Sequence, residues 1–499
     1  MGIISKQSSR TSLIGFLGVA IGALSVMFVY PYDRDLYGYL QYVFSYAYLL
    51  GLLLSFGSLG LIVKFYPVFL SKKIQGFFPL VLSIISTSVI AVTLFILLLK
   101  PYVYNAFEFL NFNIQVIEES QGTIYILAIL LIFVIAFNLH ASNFNRTIIP
   151  TILFELLHKL ALPLIILASL YQLIGSDKVD YFYLFFWLLV LVLFVIYLRK
   201  INALEIKKPQ FREIPRELKK EIGVFMLYSG LNQLGSSLVS KIDMIMIAVL
   251  ISFTDNGTYG ILLFMSNIID IPIRSINQIA SPVVSKSIES NDMENVEQIY
   301  QKSSLNALIF GLLLFVLLWS ILPDLFKIMP RSDDMIQYVW VFFFLGIGKL
   351  VDMAFSVNGF IIIYSKYFRY NLLFLGILAV ANIVLNYWLI QEKGILGAAI
   401  ATAFSIVSFN IVKLIFIWKK LRLWPFTKQT FLVVGLGTLL IFAANFAPSL
   451  NNAFLDITLK STMLPLIFYG GLKLLKVEAE VIFQFERIIS GIFRMTYKK

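Results

Sequence analysis

The residues able to do chemistry in this chain are ionisable side chains set inside long apolar runs. Glu155, His158 and Lys159 stand at i, i+3 and i+4 in one run, and Lys241 and Asp243 share a second. Asp270 and Arg274 flank Pro272 in a third, and Lys349 and Asp352 lie three apart in a fourth. A charge at bilayer depth costs at least about 2.5 to 3.5 kcal/mol, so each must be neutralised or used. Helical neighbours three or four apart can neutralise each other, and Glu155 with Lys159 reads equally as such a local pair. Lys241 and Asp243 cannot pair in this way, because residues two apart point to different sides of a helix. Each needs a partner on another helix or a hydrated cavity. Pro272 removes a backbone hydrogen bond and reads first as a kink, with a freed carbonyl for an ion as the alternative. Lys413 lies near a span end and is expected to snorkel; His140 is expected at an interface.

Enzyme chemistry has no footing in these residues. The chain contains no cysteine, so disulfides, thiolate metal sites and a cysteine nucleophile are excluded. GxSxG, HExxH and P-loop patterns are absent, as is an acidic pair suited to Mg-diphosphate. No catalytic residue, metal ligand or cofactor is therefore expected, and the chain cannot power transport by its own ATP hydrolysis.

The elements that must position these charges are membrane helices. Hydrophobic residues make up 59% of the 499 and charged residues 14%, with a mean hydropathy of +0.87, against roughly 45 to 50% and about 25% in soluble chains. The apolar runs have the length of helices rather than of ten-residue strands. They predict an all-α polytopic fold of about fourteen spans, near 12–30, 41–63, 77–99, 123–145, 148–173, 181–198, 222–250, 259–284, 304–322, 336–358, 368–390, 394–418, 429–447 and 454–475. With alternate loops inside, most of the 40 lysines and arginines fall on the side of the N-terminus. That places both termini in the cytoplasm and explains the net charge of +12 without nucleic acid.

Residues 199–221 are basic, contain Pro209 and Pro215, and follow six spans. The expected organisation is a six-helix lobe over 1–198, a cytoplasmic linker over 199–221, a second six-helix lobe over 222–418, two further helices over 419–475 and a cytoplasmic tail over 476–499. A short echo supports a repeat: Leu36-Tyr37-Gly38 returns as Thr258-Tyr259-Gly260, 222 residues on, and Pro67-Val68-Phe69-Leu70-Ser71 as Pro282-Val283-Val284-Ser285. Tyr30, Tyr32, Tyr181, Trp187, Trp388, Trp418 and Trp424 read as interfacial anchors. Gly57, Gly60, Gly394 and Gly397 permit close helix approach.

With these features the chain resembles the oligosaccharide flippase (Wzx-like, polysaccharide biosynthesis) family of the multidrug/oligosaccharidyl-lipid/polysaccharide exporter superfamily. The resemblance rests on Asp35-Leu36-Tyr37-Gly38 through Gly57-Ser58-Leu59-Gly60, on Lys64-Phe65-Tyr66-Pro67, and on Lys241-Ile242-Asp243-Met244-Ile245-Met246-Ile247 leading into Gly257-Thr258-Tyr259-Gly260. It implies alternating access between two lobes and translocation of an undecaprenyl-diphosphate-linked oligosaccharide across the inner (plasma) membrane, for O-antigen, capsule or exopolysaccharide synthesis. A diphosphate needs a hydrated, cationic cavity between the lobes, and Lys159, Lys241, Arg274 and Lys349 are the cations available to bind it. Asp243 matches the family's seventh-helix Asp, and Asp243 and Asp270 are the candidates for coupling H+ or Na+. Membrane lipids and other polysaccharide-assembly proteins are the expected partners. These charges are fewer than in the arginine-rich lipid II branch, which disfavours a peptidoglycan precursor. A cation-coupled drug exporter of the same superfamily, usually of twelve helices, and an integral-membrane polymerase or ligase, usually with a large external loop, are the alternatives.

Overall fold

The computed structural model describes residues 2–144, 146–204, 214–444, 450 and 452–477, with side chains from Ile14 onward. Residues 205–213 of the 199–221 linker and nearly all of the 476–499 tail fall outside these residues.

Every regular element among the described residues is helical. In lipid the backbone polar groups must be paired within the segment, and helices do this residue by residue. The chain forms two compact units, Met1–Gly260 and Ile261–Lys499. The first contains α1 (Gly2–Phe28), α2 (Arg34–Ser55), α3 (Leu59–Lys64), α4 (Tyr66–Ser71), α5 (Phe77–Phe109), α6 (Ile114–Ser142), α7 (Ile148–Thr151), α8 (Leu157–Leu170), α9 (Val179–Lys200), α10 (Arg216–Leu250) and the start of α11 (Phe253–Asn267). α2 is central to it, packing on α5, α6 and α10, while α6 packs on α9 and α1 lies against α7 and α8. Its start is set by Asp33, whose side chain accepts a hydrogen bond from the Leu36 N–H at 2.9 Å.

The second unit contains the rest of α11, then α12 (Ile271–Glu289), α13 (Met293–Ile328), α14 (Val339–Phe355), α15 (Asn358–Tyr364), α16 (Phe368–Leu421), α17 (Lys428–Ala444) and α18 (Ala453–Leu474). α13 packs on α12, α14, α17 and α18, and α16 on α14 and α15. Although α16 runs for 54 residues, Gly394 breaks it with φ 58° and ψ −140°. That backbone geometry is open to glycine and strained for any residue with a Cβ, so 368–393 and 395–421 are two helices, at the division expected from sequence.

Nine helices among the described residues are long and apolar enough to cross a membrane, or ten when α11 and α12, bent by 51° at their junction, count as one span. The chain is thus an all-α polytopic membrane protein, but length and composition do not yield fourteen separate spans. Part of the shortfall is the joined pair in α16. Tyr37, Tyr39, Tyr42, Tyr46 and Tyr48 lower the hydropathy of α2, Asp456 and Lys460 that of α18, and α17 has only 17 residues.

Candidate functional site

In the first unit α10 carries both Lys241 and Asp243, and their side chains leave the helix toward different neighbours. Asp243 is buried, and the Tyr259 hydroxyl donates to its Oδ2 at 2.7 Å. The Lys241 ammonium faces α2 instead, 5.2 Å from the centre of the Phe44 ring. No described residue gives it a hydrogen bond or an ion pair. Phe44 stacks on His158 with ring centres 4.7 Å apart and lies 5.9 Å from Trp187, which is 5.2 Å from His158. His158 Nδ1 is buried with no hydrogen-bond partner among the described residues. Both Lys241 and Lys159 lie within electrostatic reach of His158. Lys159 packs against α1, where a methyl group placed on Gly18 would come 3.2 Å from its Nζ.

A π-helical turn, Ile152–Leu156, shapes this cluster. Its i to i+5 bonding inserts an extra residue into the register, a distortion frequent at functional sites. The face read as Glu155, His158 and Lys159 is therefore split: Glu155 is exposed and forms no ion pair with a described residue, whereas His158 and Lys159 turn toward α2, α9 and α1. The local Glu155–Lys159 pair is not formed.

In the second unit the charges pair across helices rather than along them. Lys349 Nζ on α14 lies 2.7 Å from Asp270 Oδ2, at the junction of α11 and α12. Pro272 sits in the first turn of α12, just past the bend, where a missing N–H leaves no helical bond unmade. Arg274, four residues from Asp270, is exposed and forms no ion pair with a described residue. Asp352 accepts from Asn410 Nδ2 at 2.7 Å, and Asn410 Oδ1 accepts from Asn358 Nδ2 at 2.7 Å. Lys413, expected to snorkel, is buried instead, its Nζ 3.8 Å above the Phe409 ring.

The six sequence-derived site residues thus divide by unit. Lys159, Lys241 and Asp243 lie in the first, Asp270, Arg274 and Lys349 in the second. The fold brings Lys159 and Lys241 around His158 and joins Lys349 to Asp270. Phe44, Trp187, Asn358 and Asn410 carry no site signal in the sequence, because an aromatic or an amide in an apolar run is informative only once its neighbours are known. Trp187 and Tyr30, read as interfacial anchors, are core residues at 1% and 5% exposure. His140, expected at an interface, is buried on Phe78 and hydrogen-bonded to the Ala203 carbonyl.

An ammonium held in the helical interior with no anion is expensive, because the low-dielectric surroundings replace hydration poorly. A cation–π contact with Phe44 supplies about 0.5 to 2 kcal/mol, too little to offset that loss. With Lys159 nearby and His158 Nδ1 unpaired among the described residues, the cluster is suited to an anionic ligand.

No family model and no curated protein matches the sequence. Two solved structures share the fold. A lipid II flippase MurJ in an inward closed conformation overlays with a TM-score of 0.68 at 15% identity, over 94% of this chain and 98% of that one. A multidrug resistance MATE family transporter of the MOP superfamily, in an inward-facing conformation, overlays with a TM-score of 0.55 at 17% identity, over 88% and 96%. At these identities the likeness is one of fold: the chain has the polytopic helical fold seen in these two transporters.

Proposed function

We propose that the protein is a flippase that carries a lipid-linked oligosaccharide, attached through a diphosphate to a polyprenyl chain, across the inner membrane by alternating access, for surface polysaccharide synthesis. The observation that carries this reading is Lys241, a cation in the helical interior of the first unit with Lys159 and His158 close by and no ion pair to any described residue. A diphosphate would supply the missing charge and accept several charge-assisted hydrogen bonds at once. The polyprenyl tail would remain in lipid and need no protein cavity.

The full reading includes fourteen spans with both termini cytoplasmic, two six-helix lobes followed by two further helices, Arg274 as a further phosphate ligand and Asp243 as a coupling carboxylate. Lys349 and Asp270 join it as a pair that opens during transport, since each now occupies the other. The likeness to a lipid II flippase supports lipid-linked cargo, and the lower overlay with the drug transporter makes a cation-coupled exporter the second reading.

The test is flipping of a lipid-linked oligosaccharide in proteoliposomes. Lys241→Ala should abolish it at an unchanged yield of folded protein, and Lys241→Arg should keep part of it. Wild-type flipping by Lys241→Ala would leave this lysine a structural role only. Lys241-dependent export of a cationic drug, with no flipping, would favour the exporter.

A further inference from the structure

Between α2, α5 and α6 of the first unit lies a crevice with a cavity of about 130 Å³. Most of its wall is apolar, built from Leu50, Ile96, Leu97, Val103, Ile117 and Ile124. Only 17% of the apolar stretch of α5 is buried inside the protein, and Leu97 and Val103 are 55% and 40% exposed. The crevice therefore opens toward the region occupied by lipid chains.

Donors gather along one side of it. Lys100 Nζ and the Tyr104 hydroxyl both reach the same acceptor, Gln121 Oε1, and each stands 3.4 Å away, at the long limit of a hydrogen bond. Lys100 also lies 5.0 Å from the centre of the Tyr104 ring. No carboxylate of a described residue pairs with it. The Tyr46 hydroxyl lines the same cavity and has no hydrogen-bond partner among the described residues. Two turns from Lys100 along α5, Thr93 is already satisfied by Tyr125 at 2.6 Å. One cation and two hydroxyls are thus short of acceptors beside an apolar slot open to lipid.

We propose that this crevice binds an anionic phospholipid. Its phosphodiester accepts from Lys100 and Tyr104, replacing the two long contacts to Gln121 with short charge-assisted ones. An acyl chain enters along Leu50, Leu97 and Ile124, where the cavity takes roughly six carbons, by comparison with an apolar cavity of about 150 Å³ that holds benzene. A zwitterionic lipid offers the same phosphate but brings its own cation against Lys100, so the site prefers net negative charge. None of the lining residues belongs to the Lys241 cluster, so the site stands or falls independently of transport.

Native mass spectrometry of the purified protein, titrated in detergent with phosphatidylglycerol, phosphatidylcholine or inorganic phosphate, tests this. Wild type should retain phosphatidylglycerol in preference to phosphatidylcholine. Lys100→Ala should weaken that retention by roughly tenfold, the usual effect of losing one charged hydrogen bond, and Lys100→Arg should restore most of it. Leu97→Trp, which fills the slot and leaves the cation intact, should also reduce retention. Equal retention of the two lipids by wild type, or of phosphatidylglycerol by wild type and Lys100→Ala, would overturn the proposal. So would Lys100-dependent binding of inorganic phosphate with no retention of phosphatidylglycerol.

Discussion

Gly38 of α2 abuts the backbone of Phe253 and Gly257 of α11, and Gly257 in turn abuts Arg34 of α2. The contact is reciprocal under a shift of 219 residues, the separation between Asp35 and Thr254, which hydrogen-bond to each other at 2.9 Å. The same shift relates the two helix caps. Asp33 accepts from the N–H of Leu36 and Ser252 Oγ from that of Asp255. The two helices thus present corresponding backbone positions to each other at this crossing. The echo visible in the sequence, at 222 residues, is therefore offset by three from the register in which the helices meet.

Because a Cβ on Gly38 would land on the Phe253 carbonyl oxygen and the neighbouring backbone, Gly38→Ala must push α2 and α11 apart. Overpacking against backbone costs about 1 to 3 kcal/mol. The thermal midpoint in detergent should fall for Gly38→Ala and for Gly257→Ala. Gly435→Ala, where a methyl group meets nothing within 4 Å, should leave it unchanged. Equal midpoints for all three variants would show that the α2–α11 crossing has room for a methyl group.

The pair of Asp270 and Lys349, at 2.7 Å with both side chains 18% exposed, makes the second prediction. Lys349→Met leaves a partly buried carboxylate with no countercharge and should destabilise the protein by roughly 2 to 4 kcal/mol. Adding Asp270→Asn should recover most of that loss. A double variant no more stable than Lys349→Met would show that the two residues are not coupled.

Asp243→Asn preserves the size of the side chain and an oxygen able to accept from Tyr259, but removes the charge. If Asp243 couples transport, this variant should lose the stimulation of flipping produced by an imposed proton or sodium gradient while keeping its yield of folded protein. Stimulation equal to wild type would assign the carboxylate to packing with Tyr259 alone.

The absence of cysteine makes topology directly measurable. A cysteine placed at Gln115, in the first turn of α6, should react with a membrane-impermeant maleimide only from outside the cell. Reaction only from the cytoplasm would reverse the charge-based orientation.

Composition and hydropathy alone determined that the chain is helical, polytopic and free of thiol chemistry, because transfer of apolar surface and pairing of backbone groups in lipid depend on residue type and run length. The break at Gly394 and the separate destinations of Lys241 and Asp243 were legible for a similar reason: both follow from local backbone and helix geometry. Partners in space were not legible. Glu155 loses Lys159 because a π turn changes the register between them, and no spacing rule anticipates an inserted residue. Asp270 takes Lys349 rather than Arg274, and Asp352 takes Asn410 rather than Lys349, because inside a helical bundle the nearest unsatisfied group often lies on the neighbouring helix. Lys413 and Trp187 are buried because the packing of α16 and α9 covers them, whatever their position along a span. Tertiary structure alone decided these pairings, since a buried polar group is satisfied by whatever the fold brings within about 3 Å, and that distance is set by helix crossings rather than by sequence separation.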